Sequence, residues 1–357
     1  MSLEELRKKI DEADDRLIKD IAERIKIAKE IGKEKTSSGR PIEDKEREAK
    51  VIARIRKLAE GQNINPDEVE KLYAQIMKMT KSVQGITVAF QGELGANSEA
   101  AAFQYFGSSV QVKPCFSLED VFKAVEQDDV QFGIIPIENS LQGSISLSYD
   151  LLLESNLKVC GELDYRVVHY LIANPGVTLD RIKKVYSHPQ ALGQCRNFLR
   201  QINAEIVPTY DTAGSVRIIK EQGIKDGAAI ASARAAEIYE MKILAEGIED
   251  NTNNFTRFFV LAKKDSAPTG NDKTSIVFSV KHKPGSLYQF LKVLAEQNIN
   301  LTKIESRPTR QKPWEYNFYL DFEGHREDRV SKEVLEKLQD NIIFLKVLGS
   351  YPKAKTD

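Results

Sequence analysis

From Leu3 to Ile31 the residues Leu3, Leu6, Ile10, Ala13, Leu17, Ile21, Ala28 and Ile31 recur mostly in steps of three or four, and no proline or glycine interrupts before Gly32. That is the period of one face of an α-helix, with charges on the other faces. A helix of about thirty residues is roughly 45 Å long at ~1.5 Å per residue. SSGRP, Ser37 to Pro41, breaks it. A second helix is expected from about Glu43 to Ala59, and GQNINP, Gly61 to Pro66, ends that one. Pro66 suits the first turn of a third helix running to about Gln84. A first helix this long cannot bury its stripe inside an all-helical unit of residues 1–85, so an intertwined dimer is expected.

Bulk composition excludes several classes. The 357 residues suggest two or three domains, and 41% hydrophobic content supplies real cores. With 52 basic and 53 acidic residues the net charge is −1, so no nucleic-acid surface is expected. Cys115, Cys160 and Cys195 stand far apart, as do the four histidines. That spacing argues against a disulfide frame or a metal site and fits a reducing cytoplasm. No apolar run approaches a membrane span, and the N-terminus lacks an apolar signal core. No cofactor is expected.

Beyond the helices the period changes. ITVAF, VQVKPC, FGIIPI, KKVYS, AEIVPTY, GAAIAS and finally NNFTRFFVLAKK are expected as strands within residues 86–264, with helical patterns between several of them. One such helix is opened by Ser117 with Asp120 three residues on. This is an α/β arrangement with mostly parallel sheet, as one domain or as two lobes around a cleft. DSAPTGNDK, Asp265 to Lys273, reads as a linker. The remainder, residues 274–353, reads strand, helix, strand, strand, helix, strand, the order of a ferredoxin-like α+β unit.

Polar residues gather at particular points. Arg24 interrupts the apolar stripe, and Arg7 lies 17 residues away, roughly 25 Å at ~1.5 Å per residue, so one small ligand reaches both only across two copies. Asp44, Arg47 and Glu48 share one helix face, as do Thr80 and Gln84, and Lys35 closes the first helix. A solvated, charged dimerisation bundle would carry the same charges. In the α/β part, QGELGANSE, PIENSLQGS, YSHPQALGQC and YDTAGS follow expected strands, where open α/β sheets bind ligands. They offer Glu138, Asn139, Ser187, His188, Gln194, Asp211 and Thr212. Asp211 and Thr212 read first as simple helix capping, and His188 before Pro189 suits a structural role rather than a base. Thr256 and Arg257 put a hydroxyl and a cation at the mouth of the strand FTRFFVLA.

The pattern Arg7, Arg24, Lys35, Asp44-x-x-Arg47-Glu48, Thr80-x-x-x-Gln84 resembles the all-helical chorismate mutase family. The resemblance implies that Arg7 of a partner chain, Arg24 and Arg47 hold two carboxylates. Lys35 and Gln84 would donate to the ether oxygen, Glu48 would take the substrate hydroxyl, and Asp44 and Thr80 would assist binding. Such a pericyclic rearrangement needs restriction and charge stabilisation but no nucleophile. NFTRF, PIEN and SHPQ resemble the prephenate dehydratase domain, implying a two-lobed fold like periplasmic binding proteins. There Thr256 would be the proton donor, with Asn139, Gln194 and Ser187 positioning the substrate and Glu138 and Asp211 in support. Arg257 would bind a carboxylate or fix the loop. PGSLYQFL and ESRPT resemble the marks of an ACT regulatory domain, implying a phenylalanine site drawn from Gly285, Ser286, Leu287, Glu305, Ser306, Arg307 and Pro308.

The order of the three segments resembles the bifunctional enzymes of phenylalanine biosynthesis, which turn chorismate into prephenate and prephenate into phenylpyruvate. It implies a homodimer or a dimer of dimers, with phenylalanine as allosteric ligand. Two other readings stay open: an amino-acid sensor without catalysis, and a dehydratase whose helices only dimerise.

Overall fold

The structure, a computed structural model, describes residues 2–37, 45–84, 86–108, 110–309, 315–338 and 342–354. It falls into two compact units, one of residues 1–87 with 108–111 and one built from the rest. The first is helical: α1 Leu3–Ser37, α2 Lys45–Gly61 and α3 Pro66–Gln84. Pro66 opens α3 where its missing N–H is no loss, and Asn65 Oδ1 accepts from Asp67 N at 3.0 Å. Both α1 and α2 pack on α3. The stripe on α1 is largely uncovered within the chain: Leu3, Ile10 and Leu17 are 66%, 62% and 52% exposed.

The second unit contains β1 Thr87–Gln91, α4 Asn97–Phe106, β2 Gln111–Cys115, α5 Leu118–Glu126, β3 Phe132–Asn139, β4 Gly143–Ser144, α6 Ser146–Glu154 and β5 Lys158–Arg166. It continues with β6 Tyr170–Ala173, β7 Lys184–Ser187, α7 Pro189–Gln194, α8 Arg196–Ile202, β8 Glu205–Pro208, α9 Thr212–Glu221, β9 Gly227–Ala231, α10 Ala233–Ile238, β10 Lys242–Glu246 and β11 Phe255–Ala262. Ser117 and Asp120 form the expected capping box on α5. Two sheets result, ordered β2-β1-β3-β11-β5 and β10-β6-β9-β7-β8. Pro114, which lacks a ladder donor, lies in β2 at a sheet edge. After β5 the chain builds the whole second sheet and returns through β11, which inserts between β3 and β5.

That return overturns the expectation of a mostly parallel sheet. β1/β3, β7/β8 and β7/β9 are parallel, but β11 runs antiparallel to both β3 and β5, and β6 to both β9 and β10. A strand buried on both faces is a continuous apolar run in either direction, so FFVLA does not disclose its orientation.

The C-terminal part contains β12 Asp272–Val280, α11 Ser286–Glu296, β13 Leu301–Pro308, β14 Tyr316–Glu323, α12 Arg329–Leu338 and β15 Ile342–Pro352. Its antiparallel sheet is ordered β13-β14-β12-β15. Ile276, Phe278, Leu320 and Phe322 form a core with Phe290 of α11 and Val334 of α12. The alternate residues Val277, Tyr319, Leu348 and Tyr351 face the other way and join one core with Ile135, Ile137, Tyr149, Val159 and Phe259 of the first α/β sheet. The segment between the two parts is tied down: Asp265 pairs with Arg326 at 2.8 Å, Ser266 donates to the Cys160 carbonyl, and Asp272 accepts from Thr269 N at 2.8 Å and Gly270 N at 3.0 Å. No described helix is long and apolar enough to cross a membrane.

Candidate active sites

β3 ends in Glu138-Asn139, and β11 opens with Phe255-Thr256-Arg257. Their register sets Thr256 opposite Asn139 and Arg257 opposite Glu138. Successive side chains on a strand point to opposite faces, so one pair faces a cleft and the other faces away from it. The cleft is a cavity of about 1090 Å³ lined by Asn139 and Thr256 on one side and by His169, Gln194, Asp211 and Thr212 on the other.

Inside it a hydrogen-bond cluster joins the lobes. Asn139 Oδ1 accepts from the backbone N–H groups of Leu141 (3.1 Å) and Gln142 (3.2 Å). Asn139 Nδ2 donates to Asn254 Oδ1 (2.9 Å), Thr256 Oγ1 (3.1 Å) and the Phe255 carbonyl (3.2 Å). Asn254 Nδ2 reaches Gln194 Oε1 at 3.1 Å, and His169 Nε2 lies 2.8 Å from the same oxygen. Gln194 Nε2 is buried without a hydrogen-bond partner. Burial pushes the His169 pKa down, outweighing the Gln194 hydrogen bond and the charge of Glu249.

A second cluster lines the cleft from the glycine turn after β1. Arg217 donates to both Glu93 oxygens (2.9 and 3.0 Å) and to the Tyr210 hydroxyl at 2.8 Å, and Tyr210 in turn donates to Glu93. Burial raises the Glu93 pKa, but the Arg217 and Tyr210 hydrogen bonds outweigh it and hold the carboxyl below its usual range. Asp211 caps α9 through Gly214 N at 2.8 Å while also lining the cleft. Burial, more than any neighbouring charge, pushes its pKa up. His188 caps α7, its Nδ1 accepting from Gln190 N at 3.3 Å.

Three expected site residues lie outside the cleft lining. Ser187 is buried, its hydroxyl donating to the Ile230 carbonyl of β9 at 2.6 Å. Glu138 turns to Lys303 of β13 at 2.6 Å. Arg257 lies between Glu162 of β5 and Asp321 of β14, 2.6 Å from the latter, with the Tyr351 hydroxyl at 3.2 Å. Asn254, His169, Glu93 and Arg217 were not singled out in the sequence. Asn254 and Glu93 stand inside the quoted NNFTRF and QGELG stretches, whereas nothing local marked His169 or Arg217.

On β13 the residues alternate. Lys303, Glu305 and Arg307 face the α/β sheet, with Glu305 accepting from Ser144 and Arg307 reaching Ser146 Oγ at 3.0 Å and Asp150 at 3.5 Å. Ser306 and Pro308 are exposed. Gly285 sits at φ +84° as the N-cap of α11, a left-handed geometry that suits glycine, followed by Ser286 and by Leu287, which packs on the C-terminal core.

In the helical unit Arg7 and Arg47 are exposed, and the Arg24 guanidinium lies 5.4 Å from the centroid of the Tyr73 ring. Asp44 and the side chains of Lys35, Glu48, Thr80 and Gln84 lie outside the described residues. Among the described residues no group of three or more His, Cys, Asp or Glu could hold a metal ion.

Comparison with known proteins accounts for all three segments. Residues 6–85 match the chorismate mutase type II family, residues 88–266 prephenate dehydratase, and residues 274–340 the ACT domain. A bifunctional chorismate mutase/prephenate dehydratase of Aquifex aeolicus is 39% identical over 99% of this chain and 98% of its own length. Among solved structures, GqqA, described as a novel type of quorum-quenching acylase, superposes with a TM-score of 0.70 at 33% identity, covering 74% of this chain and 97% of that one. Prephenate dehydratase from Arthrobacter aurescens in complex with L-Phe superposes with a TM-score of 0.69 at 31% identity, covering 75% of this chain and 90% of that one.

Proposed function

The chain belongs to the family of bifunctional chorismate mutase/prephenate dehydratases, and from that premise we propose how its residues divide the work. In the cleft, prephenate loses its ring carboxylate as CO2 and its ring hydroxyl as water, giving phenylpyruvate. Hydroxide is a poor leaving group, so a proton must reach it as the bond breaks. Thr256 supplies that proton, and Asn139 and Gln194 position the substrate. The observation that carries this assignment is that the buried Thr256 hydroxyl lines the cleft beside Asn139, which lies on the neighbouring strand although 117 residues away in sequence. Ser187, Glu138 and Arg257 act from beneath, by holding the strands that carry the site.

In the helical unit, chorismate rearranges to prephenate. Arg24, Arg47 and Arg7 of a second copy bind its carboxylates, with Asp44 and Thr80 assisting. Lys35 and Gln84 donate to the ether oxygen, and Glu48 takes the hydroxyl. The exposed apolar stripe of α1 supports a homodimer or a dimer of dimers, because a second copy would bury it. Phenylalanine binds the ACT domain near Gly285–Leu287 and the strand Glu305–Pro308, and lowers dehydratase activity. Two features support this reading. The Arthrobacter relative carries L-Phe, and in this chain Lys303, Glu305, Arg307 and Asp321 grip the strands that present Asn139 and Thr256.

Chorismate alone, followed by chromatography with and without phenylalanine, tests the whole reading. Phenylpyruvate formation, suppressed by phenylalanine, is expected. Thr256→Val should stop the sequence at prephenate, and Arg24→Ala should leave chorismate unconsumed while added prephenate still turns over. Unchanged phenylpyruvate formation by Thr256→Val would remove Thr256 from the mechanism.

A further inference from the structure

The cleft cluster fixes which atoms donate and which accept. Backbone N–H groups can only donate, so the Asn139 oxygen that meets Leu141 N and Gln142 N is held as Oδ1, and its amide nitrogen must face Asn254 and Thr256. An amide nitrogen cannot accept. Asn254 therefore presents Oδ1 to Asn139 and Nδ2 to Gln194, and Gln194 must turn Oε1 toward it. With that oxygen fixed as acceptor, His169 must carry a proton on Nε2. The neutral form that burial favours then leaves Nδ1 bare.

Two consequences face the cleft. Thr256 Oγ1 accepts from Asn139 Nδ2, so its own hydrogen is free to point at a ligand. Gln194 Nε2 has no partner in the protein, and its hydrogens are free as well. Two backbone N–H groups at the end of β3 thus set the direction of a chain of four side chains spanning both lobes.

We propose that Asn254 and His169 are positioning residues for the dehydratase reaction: they lock the Asn139 and Gln194 amides so that Thr256 and Gln194 meet the substrate as hydrogen-bond donors. The idea rests on the dehydratase reading of this cleft. Asn254 is not part of the cleft lining, and both residues act through the amides they hold, Asn254 on Asn139 and Gln194 and His169 on Gln194. Asn254 is fully buried and His169 is 3% exposed. Their contribution is to prevent the alternative arrangement, in which a flipped Gln194 offers an acceptor to the cleft. A flipped Asn139 would similarly draw the threonine proton away from the leaving hydroxyl.

The test is the ring tautomer of His169, read from imidazole 15N–1H correlations and assigned by single substitution of each of the four histidines. The Nε2–H form is expected in the wild-type protein. In Asn254→Asp the new oxygen faces Gln194, whose amide must rotate to donate to it, so His169 Nε2 becomes an acceptor and the proton moves to Nδ1. Dehydratase kcat should fall at least about 10-fold in this variant, with KM changing less, because the rotated Gln194 turns an acceptor instead of a donor toward the substrate in the transition state. A purely space-filling Asn254 would move neither the tautomer nor the split between kcat and KM. An Nδ1–H ring in the wild type, or an Nε2–H ring retained in Asn254→Asp, overturns the proposal. The wild-type spectrum needs no variant to fold. Turnover of prephenate by the wild-type enzyme judges the dehydratase reading separately, whatever the tautomer.

Discussion

At the scale of single residues, the direction of a hydrogen bond matters as much as its presence. Asn139→Asp keeps an oxygen for Leu141 N and Gln142 N but replaces the donor to Thr256 with an acceptor. The threonine proton then turns to the carboxylate, and prephenate turnover should fall about 100-fold, the usual weight of a general acid. Steady-state assay beside Asn139→Ala separates misdirection from loss of packing. Glu93 offers a pH-dependent prediction. Its folded pKa is held below the unfolded value, so its contribution to stability is present above the unfolded pKa and is lost as pH falls through the folded one. Glu93→Gln should therefore lower Tm near neutral pH, and the gap to wild type should close below the ordinary carboxylate range. A gap that stays constant in melts across that range would show that charge is not the cause.

Among elements, β11 decides the site. It returns from the second lobe, enters between β3 and β5, and turns Thr256 to the cleft and Arg257 to the ACT sheet in consecutive positions. A similarly close meeting joins β5 to β15. A Cβ on Gly349 would come within 2.0 Å of the Val159 carbonyl oxygen, a backbone atom that cannot rotate away. Gly349→Ala should destabilise the second unit by about 3 kcal/mol, the upper part of the range for overpacking, measured by urea titration. A change below about 0.5 kcal/mol, the range of neutral surface substitutions, would mean that the strands part freely. The strand motifs FTRF and PIEN were legible as strand ends carrying polar groups. Their pairing was not, because 117 residues separate Asn139 from Thr256 and strand direction leaves no trace in a fully buried run.

For the whole molecule, the ACT part behaves as a wall of the dehydratase core. Val277, Tyr319, Leu348 and Tyr351 are buried against it, and Asp321 shares Arg257 with Glu162. A chain ending at Lys264 would expose Tyr149, Val159 and Phe259 and should aggregate or bind a hydrophobic dye; a soluble, cooperatively folding product would contradict the shared core. Arg257→Ala removes a guanidinium that is 13% exposed and leaves Asp321 without it. It should cost about 3 kcal/mol or more in chemical denaturation. The linker expected from DSAPTGNDK is held by Asp265, Ser266 and Asp272, so the two parts are not joined by a free tether.

Local rules sufficed for a good deal of this protein. The sequence by itself determined the three helices, the capping box on α5, the ferredoxin-like order of the C-terminal part and the segments at which polar groups gather, because helix periodicity, proline and glycine act over a few residues. Resemblance carried the expected chemistry. Tertiary structure alone decided which of those groups share a cleft. Alternation across β3 and β11 sent Asn139 and Thr256 one way and Glu138 and Arg257 the other, and β7 buried Ser187 against β9. His169 had no local signal at all, since its part in the cleft comes from a partner 25 residues away on another element. Which face of a strand meets a ligand depends on what packs against the opposite face, and that is set by chain segments far away in sequence.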